Sequence, residues 1–404
     1  MDFSDTSEEA AYRAQVCAWL DANAPDRLPR TAPTSEQLRA AKDWQAKKAA
    51  AGYAQISWAK EWGGPGGTTM QNVIYNQEEG RRGLATGFFG IGLGMCIPTV
   101  IAFADEVTKK RFVGPALRGE EIWCQLFSEP AAGSDLAAVR TSAVPDGDDW
   151  VVNGQKIWTS GAHYSDYGIV VTRTNRDAPK HKGLTMFWVD MTSPGIEVRP
   201  INQMSGESGF NEVFFTDVRI PDGQRLGAVD NGWKVSLVTL MNERLSIGGG
   251  GGGADYARFM ELARGQTVGD EPALAHSAFR EKIADWYVRT EGMKHTRMRS
   301  LTALSRGETP GPESSIGKVV AALQALNVAE CAIDMLDAYG IIDDPEISPM
   351  RGAFQSLFLG MPGLRIAGGT DEILRNIIAE RVLGLPGEIR VDKDVAFKDL
   401  PAGR

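Results

Sequence analysis

Over the first third of the chain the polar and apolar positions follow helical spacing. SEQLRAAKDWQAKKAAAG carries its charges on one face behind a candidate cap at Ser35, and DEVTKKRFVGPALRG predicts a further helix with a glycine stop. Near Ile122 the period shortens. WVVNGQKIW, YGIVVTRT, GLTMFWVDM, IEVRPI and NEVFFTDVRI are β-rich runs separated by Gly, Pro, Asn and Asp, which predicts an antiparallel sheet or small barrel. Asn153-Gly154, set between a Val-rich and an Ile/Trp-rich arm, predicts a type I′ hairpin. After the turn-rich linker PDGQRLGAVDNG, long helical patterns return and run to about Pro386. The chain therefore divides into a helical domain at 1–121, a β domain at 122–225, a helical bundle at 226–388 and a tail at 389–404.

Leu84 to Ala104 is 21 residues without a charge, preceded by Arg81 and Arg82 as a membrane span is. Its four glycines and Pro98 predict instead a buried pair of short helices, or a helix and a turn. At 404 residues the chain has length for two or three domains. Its 52 acidic and 43 basic residues leave a net charge of −9, with no basic stripe, which excludes nucleic acid as the expected partner. The four cysteines form no CxxC pair and the four histidines show no ligand spacing, so reduced thiols and no structural metal are expected. The acidic start MDFSDTSEEA fits neither a secretory nor a transit signal, and a cytoplasmic location is expected.

Four segments hold candidate chemistry. In CQLFSEPAAGSDLAAV a strand runs into a turn of small residues, where backbone N–H groups and the hydroxyls of Ser128 and Ser134 are placed to meet an anion; an ordinary surface turn has the same composition. GQKIWTSG puts Trp158 beside Thr159 and Ser160 at a strand end, and taken alone this tryptophan reads as a core residue. IAGGTDEILRNIIAERVLGLP opens on a glycine pair and a cap, Thr370, with Asp371 and Glu372 in the first turn. Ile373, Ile377 and Ile378 give this helix an apolar face, and it stops at Gly384 and Pro386. In NGWKVSLVTLMNERLSI, helical spacing sets Glu243 among Leu240 and Ile247, with Arg244 adjacent. That carboxylate reads either as half of a buried pair or as a desolvated base. Six consecutive glycines, Gly248 to Gly253, follow it, and a loop and a bare helix fit them equally.

In their order and spacing these segments resemble the flavin-dependent acyl-CoA dehydrogenases, from AKEWGGPGG to ERVLGLP. The resemblance implies a mainly α fold with a central β-barrel, namely an N-terminal helical domain, a middle β domain and a C-terminal four-helix bundle. It implies FAD as cofactor, contacted by Gln125, Phe127, Ser128, Gly133, Ser134, Trp158, Thr159, Ser160, Thr370 and Glu372. Ser134, Arg244, Gly368 and Gly369 would meet the acyl-CoA substrate, the Gly368 amide donating to the thioester oxygen. The implied reaction is α,β-dehydrogenation to the trans-2-enoyl-CoA, with electrons passed to an electron-transfer flavoprotein.

The departures from the family pattern are informative. Many members carry the catalytic Glu at the position that is Gly368 here, whereas isovaleryl- and long-chain-type enzymes carry it in a Glu-Arg-Leu sequence on the bundle helix. Glu243-Arg244-Leu245 matches the second arrangement and makes Glu243 the expected base. The Arg-x-x-Phe-Gly stretch has no clear counterpart, Arg280 being its nearest candidate, and LDAYGIID stands where a Gln-x-x-Gly-Gly loop holds the adenine end. A bacterial subset that shares these absences and acts on bulky acyl groups is similar, some of it built from two unlike subunits. Homodimer, tetramer and heterotetramer are therefore all expected states, without a membrane span. An acyl-CoA oxidase and a non-catalytic partner subunit are the competing readings.

Overall fold

The computed structural model describes residues 5–28, 34–84, 87–247, 254–305, 311–312, 314–342 and 344–401; the side chains of 243–247, 254–255, 301, 304–305 and 314 are outside that description. Two compact units emerge. One comprises 1–202, 208–243 and 389–404, the other 203–207 and 244–388.

The first unit begins with α1 (Ser7–Asn23), α2 (Thr34–Ala50) and α3 (Thr69–Arg82). Thr6 with Glu9 and Thr68 with Gln71 form reciprocal caps, each satisfying two free amides at the start of α1 and α3. The helix α2 already includes Thr34, so Ser35 lies inside its first turn and is not the cap the sequence suggested. Val16, Leu20, Trp44, Ile56 and Tyr75 bury together between these helices. The uncharged stretch becomes a 3-10 turn (Gly87–Phe89), a π turn (Gly92–Cys96) and α4 (Ile97–Phe103), with Pro98 in the first turn of α4 where its missing N–H is harmless. Cys96, Ile97 and Val100 are fully buried, so this segment is core. Asp105 caps α5 (Glu106–Leu117), and Gly119 follows it at φ +75°.

Eight strands follow: β1 (Trp123–Leu126), β2 (Ser142–Asp146), β3 (Asp149–Ser160), β4 (Tyr167–Arg173), β5 (Leu184–Asp190), β6 (Ile196–Ile201), β7 (Phe210–Pro221) and β8 (Arg225–Leu226). They pair as one sheet in the order β6-β7-β3-β2-β4-β5-β8, with β1 joined in parallel to β4. Side chains alternate faces along a strand, so Val170 and Phe187 share one cluster with Val152, Val213 and Phe215. Ile169, Val171 and Met186 turn the other way, onto α4 and α5. A single apolar cluster fed by both ends of the pairing order means the sheet curls over itself, as in a barrel.

The Asn153-Gly154 hairpin does not form. Strand β3 runs straight through both residues, and the tight turn lies upstream at Gly147-Asp148, where Asp146 pairs with Asp149 and Gly147 has φ +65°. Asn153 instead exchanges two hydrogen bonds of 2.9 Å with Asp217 on β7, and the register shifts between Val152 and Gly154. A bulge with its own side-chain partner has used the same two residues that favour a turn.

In the second unit α6 (Gly232–Ile247), whose first residues belong to the first unit, is followed by α7 (Ala254–Arg264), α8 (Ser277–Ser305), α9 (Ser314–Leu336), α10 (Ala353–Ile366) and α11 (Asp371–Ile377). Helix α9 touches α7, α8, α10 and α11 and is the axis of this bundle. Phe259, Trp286, Val328, Ala332 and Phe354 bury against one another there. Ser315–Ile341 is apolar and long enough to cross a membrane, yet half of its most apolar window is buried, as in a core helix. The run Gly248 to Gly253 lies outside the described residues.

Candidate active site

The first unit brings two of the four segments together. The N–H of Ile157 on β3 donates to the carbonyl of Ser128 at 2.9 Å, so the SEPAAGSD turn extends the sheet beside the end of β3. The turn closes on itself through a Glu129–Ala132 bridge, and Gly133 and Ser134 stand exposed beyond it.

At the end of β3 the register shifts again, between Lys156 and Thr159, and Trp158 takes φ +60° with 55% of its surface exposed. A bulky aromatic in the left-handed region is strained, and strain of this kind concentrates where a side chain must be presented. Trp158 is therefore a displayed ring, not the core residue its type suggests; Phe210 meets it edge-on, with centroids 6.1 Å apart. Ser160, two residues on, is half-buried, whereas Thr159 between them is buried with its Oγ1 lacking a partner among the described residues. Of the two expected hydroxyls, Ser160 is thus on the accessible side. Phe127 is a core residue by its ring, and its carbonyl accepts from Lys156. Gln125 is half-buried on β1.

The residues that hold this surface were missed by the sequence reading. Lys156 is fully buried, and its Nζ donates to Glu129 Oε1 at 2.8 Å and to the Phe127 carbonyl at 3.0 Å. Glu129 also accepts the N–H groups of Arg140 (2.6 Å) and Thr141 (2.9 Å). Burial pushes the Glu129 carboxyl up, but Lys156 and these donors outweigh it and leave it below the ordinary carboxylate range. One pair thus pins both sides of the turn to the strand below Trp158. A lysine on the inward face of an apolar strand was the available signal.

The second unit holds the third segment. Gly368 and Gly369 have φ +65° and +92°, a path that glycine adopts without strain. Thr370 caps α11 as expected, accepting from the Ile373 amide at 3.3 Å. Leu374 and Asp371 are the buried residues of α11, while Ile373, Ile377 and Ile378 are only half-buried, and the helix continues as a π turn (Ile378–Val382). Lys318 on α9 donates to the carbonyls of Gly369 (2.7 Å) and Arg365 (3.0 Å). Asp371 accepts from Arg365 Nε at 2.8 Å and faces Lys318 across 3.6 Å, too far for a hydrogen bond. Burial lowers the Lys318 pKa against the opposing pull of Asp371. Among the described residues no backbone carbonyl is paired with the Gly368 N–H, so the turn leaves that donor for a ligand. Glu372 is exposed. The side chains of Glu243 and Arg244 lie outside the described residues; their backbone belongs to the last turns of α6.

Residues 6–120, 124–218 and 230–383 match, in order, the N-terminal, middle and C-terminal domains of acyl-CoA dehydrogenase. Over 393 residues the chain is 36% identical to acyl-CoA dehydrogenase IpdE1 of Mycobacterium tuberculosis, covering 94% of this chain and 98% of that one. The chain belongs to the acyl-CoA dehydrogenase family. Among solved structures this acyl-CoA dehydrogenase is similar to the steroid ACAD Tcur3481–Tcur3483, with a TM-score of 0.80 and 26% identity over 96% of this chain and 100% of that one. It is also similar to the ChsE4–ChsE5 complex from Mycobacterium tuberculosis, with a TM-score of 0.77 and 25% identity over 96% and 100%. The family is one of FAD-binding oxidoreductases. The residues present fit that group: Trp158 offers an exposed ring, and no described residue partners the hydroxyls of Ser128, Ser134 or Ser160.

Proposed function

We propose that this acyl-CoA dehydrogenase acts on a bulky, branched or cyclic acyl-CoA, forming the trans-2-enoyl-CoA with Glu243 as base and an electron-transfer flavoprotein as electron acceptor. The observation that carries the reading is Gly368. It stands where many relatives keep their carboxylate, and it offers only an amide, which has no carbonyl partner among the described residues and sits in the turn that Lys318 holds. Hydrogen bonding to the thioester oxygen by that amide stabilises charge as the α-proton leaves. The proton then needs another acceptor, and Glu243 in its Glu-Arg-Leu sequence supplies one, with Arg244 orienting it or the CoA portion. Bound FAD supplies the acceptor for the β-hydride. Ser128, Ser134 and Ser160 hold the cofactor edge and thioester arm, and Trp158 covers the ring and excludes water from it. Gln125, Gly133, Thr370 and Glu372 complete the cofactor contacts.

Bulk in the substrate is supported by the similar steroid ACAD and by the side-chain-free run after Ile247. A heteromeric assembly has support from the ChsE4–ChsE5 complex; homodimer and tetramer are the other states, and the cytoplasm is the proposed location. The test is anaerobic titration of the purified protein with a panel of acyl-CoA thioesters while flavin absorbance is followed. Cyclic and branched thioesters should bleach the flavin. A preference for short straight chains overturns the substrate class, and rapid peroxide release under air points to an oxidase. Glu243→Gln should retain yellow flavin but lose bleaching by about 10²–10⁴-fold, the usual worth of a positioned base. Unchanged turnover removes Glu243 from its role. A chain purified without flavin supports the partner-subunit reading, which the missing adenine-end motif favours.

A further inference from the structure

The three matched domains end at residue 383, yet the chain continues, and from Ile389 it packs into the first unit. Its path there is ordered by backbone pairing. Ala396 bridges Pro179, and the amides of Phe397 and Lys398 donate to the carbonyls of Ala178 and Arg176, each at 2.9 Å.

Two side chains of this segment act on the SEPAAGSD turn through intermediaries. Phe397 is 5% exposed, and the Arg173 guanidinium lies 3.9 Å from its ring centroid. Arg173 is itself buried and has no carboxylate partner among the described residues; it donates to the carbonyls of Ala137 (2.5 Å), Lys180 (2.8 Å) and Val139 (3.4 Å). Phe397 is thus the floor beneath the cation that gathers the carbonyls just after Asp135. Asp392 pairs with Lys180, whose Nζ also holds Asp135 at 2.7 Å, and Asp135 directly follows Ser134. The turn has little packing of its own. Gly133 has open space around it, and Gly133, Ser134 and Asp135 are exposed.

We propose that the C-terminal segment 391–400 is a positioning element of the flavin and acyl-CoA site, in which Phe397 acting through Arg173, and Asp392 acting through Lys180, hold the Gly133-Ser134-Asp135 turn in its binding conformation. The proposal rests on the assignment of that turn to cofactor and thioester made above. Its physical content is a population effect. Without the segment, the competent arrangement of the turn is less occupied, and apparent affinity falls in proportion while the chemistry of the bound complex does not.

The test uses the full-length holoenzyme with Phe397→Ala, Phe397→Tyr, Asp392→Asn and Ser134→Ala. The measurements are the FAD dissociation constant, KM and kcat for an accepted acyl-CoA, and the melting temperature. Phe397→Ala should weaken FAD binding and raise KM, each about tenfold, with a far smaller change in kcat at saturation. Phe397→Tyr, which keeps a ring face under Arg173, should restore both constants. Asp392→Asn should raise KM severalfold at an unchanged melting temperature, and it decides the matter if Phe397→Ala does not fold. A lowered melting temperature with FAD affinity and KM both within twofold of the parent overturns the proposal, as does a kcat loss at intact affinity. If Ser134→Ala also leaves both constants unmoved, the assignment of the turn has failed; if Ser134→Ala moves them and the tail variants do not, only the positioning role has.

Discussion

Lys156→Met separates a buried ion pair. Its ammonium is fully buried, 2.8 Å from Glu129 and 3.0 Å from the Phe127 carbonyl. Met fills most of the volume but leaves Glu129 without its direct ion partner, its charge met only by the Arg140 and Thr141 amides and the more distant buried Arg173. Breaking one side of such a pair costs about 3–5 kcal/mol, far more than the pair gains over an apolar replacement. At roughly 2–4 °C per kcal/mol for a body of this size, the melting temperature should fall by about 10 °C. The second variant, Lys156→Met with Glu129→Gln, removes the stranded charge while keeping a carbonyl for one of the two amides, and should recover about half of the loss. Stability against pH gives an independent sign. In the parent, the Glu129 pKa lies below its ordinary 4.5, so its contribution is present above that value and fades as pH falls through the lowered one. In Lys156→Met burial acts unopposed by the cation, the pKa rises, and the deficit should shrink as pH falls from 6 towards 4. Thermal melts followed by near-UV circular dichroism, between pH 4 and 7, measure both effects. A single-variant loss below about 1 kcal/mol, or a double variant no better than the single, would refute the reasoning.

Lys318→Met frees the Gly368-Gly369 turn from α9 and should lower kcat roughly ten- to a hundredfold at normal flavin content, because a misaimed amide stabilises the thioester oxygen poorly; stopped-flow bleaching measures it, and an unchanged rate shows that the turn holds without the lysine. Gly154→Ala places a methyl group 2.5 Å from Thr141 Oγ1 at a φ of +152°, and should cost about 1–3 kcal/mol in a urea melt, whereas a neutral result would mean the bulge relaxes freely. Asp222 is pushed down to about 2 by Arg225 and then by the Trp150 indole, so its contribution exists above its ordinary 3.8 and is lost between about 4 and 2; Asp222→Asn should abolish the part of the acid-melting profile in that window, and an identical profile would exclude it.

The order helix, sheet, helix was legible because each period extends over many residues. Strands β3 to β7 fall on the five β-rich runs, while β2 was lost: Ser142–Asp146 shows only one buried side chain and carries no sustained alternation. Local turn chemistry was less reliable. Asn153-Gly154 and Gly147-Asp148 are both hairpin sequences, and the pairing of β3 with β7 makes the first a bulge and leaves the second as the turn. Ser35 failed for a simpler reason: a cap depends on where the preceding chain leaves the helix, which composition does not record.

At the site, sequence found the residues that are displayed and missed those that do the holding. Ser134, Trp158 and Gly368 sit in short segments of recognisable order, whereas Lys156, Arg173 and Lys318 reach their carbonyl and carboxylate partners across different elements, 27 residues apart for Lys156 and Glu129 and 51 for Lys318 and Gly369. Pairings at such separations exist only once the sheet and bundle are built. Burial makes them the more consequential half of the site, because a displayed serine loses one hydrogen bond when replaced, while a buried cation that loses its partners disturbs every backbone group it gathered. Trp158 joins the two halves. It is exposed where the register of β3 against β7 shifts between Lys156 and Thr159, two residues beyond the lysine that anchors the turn.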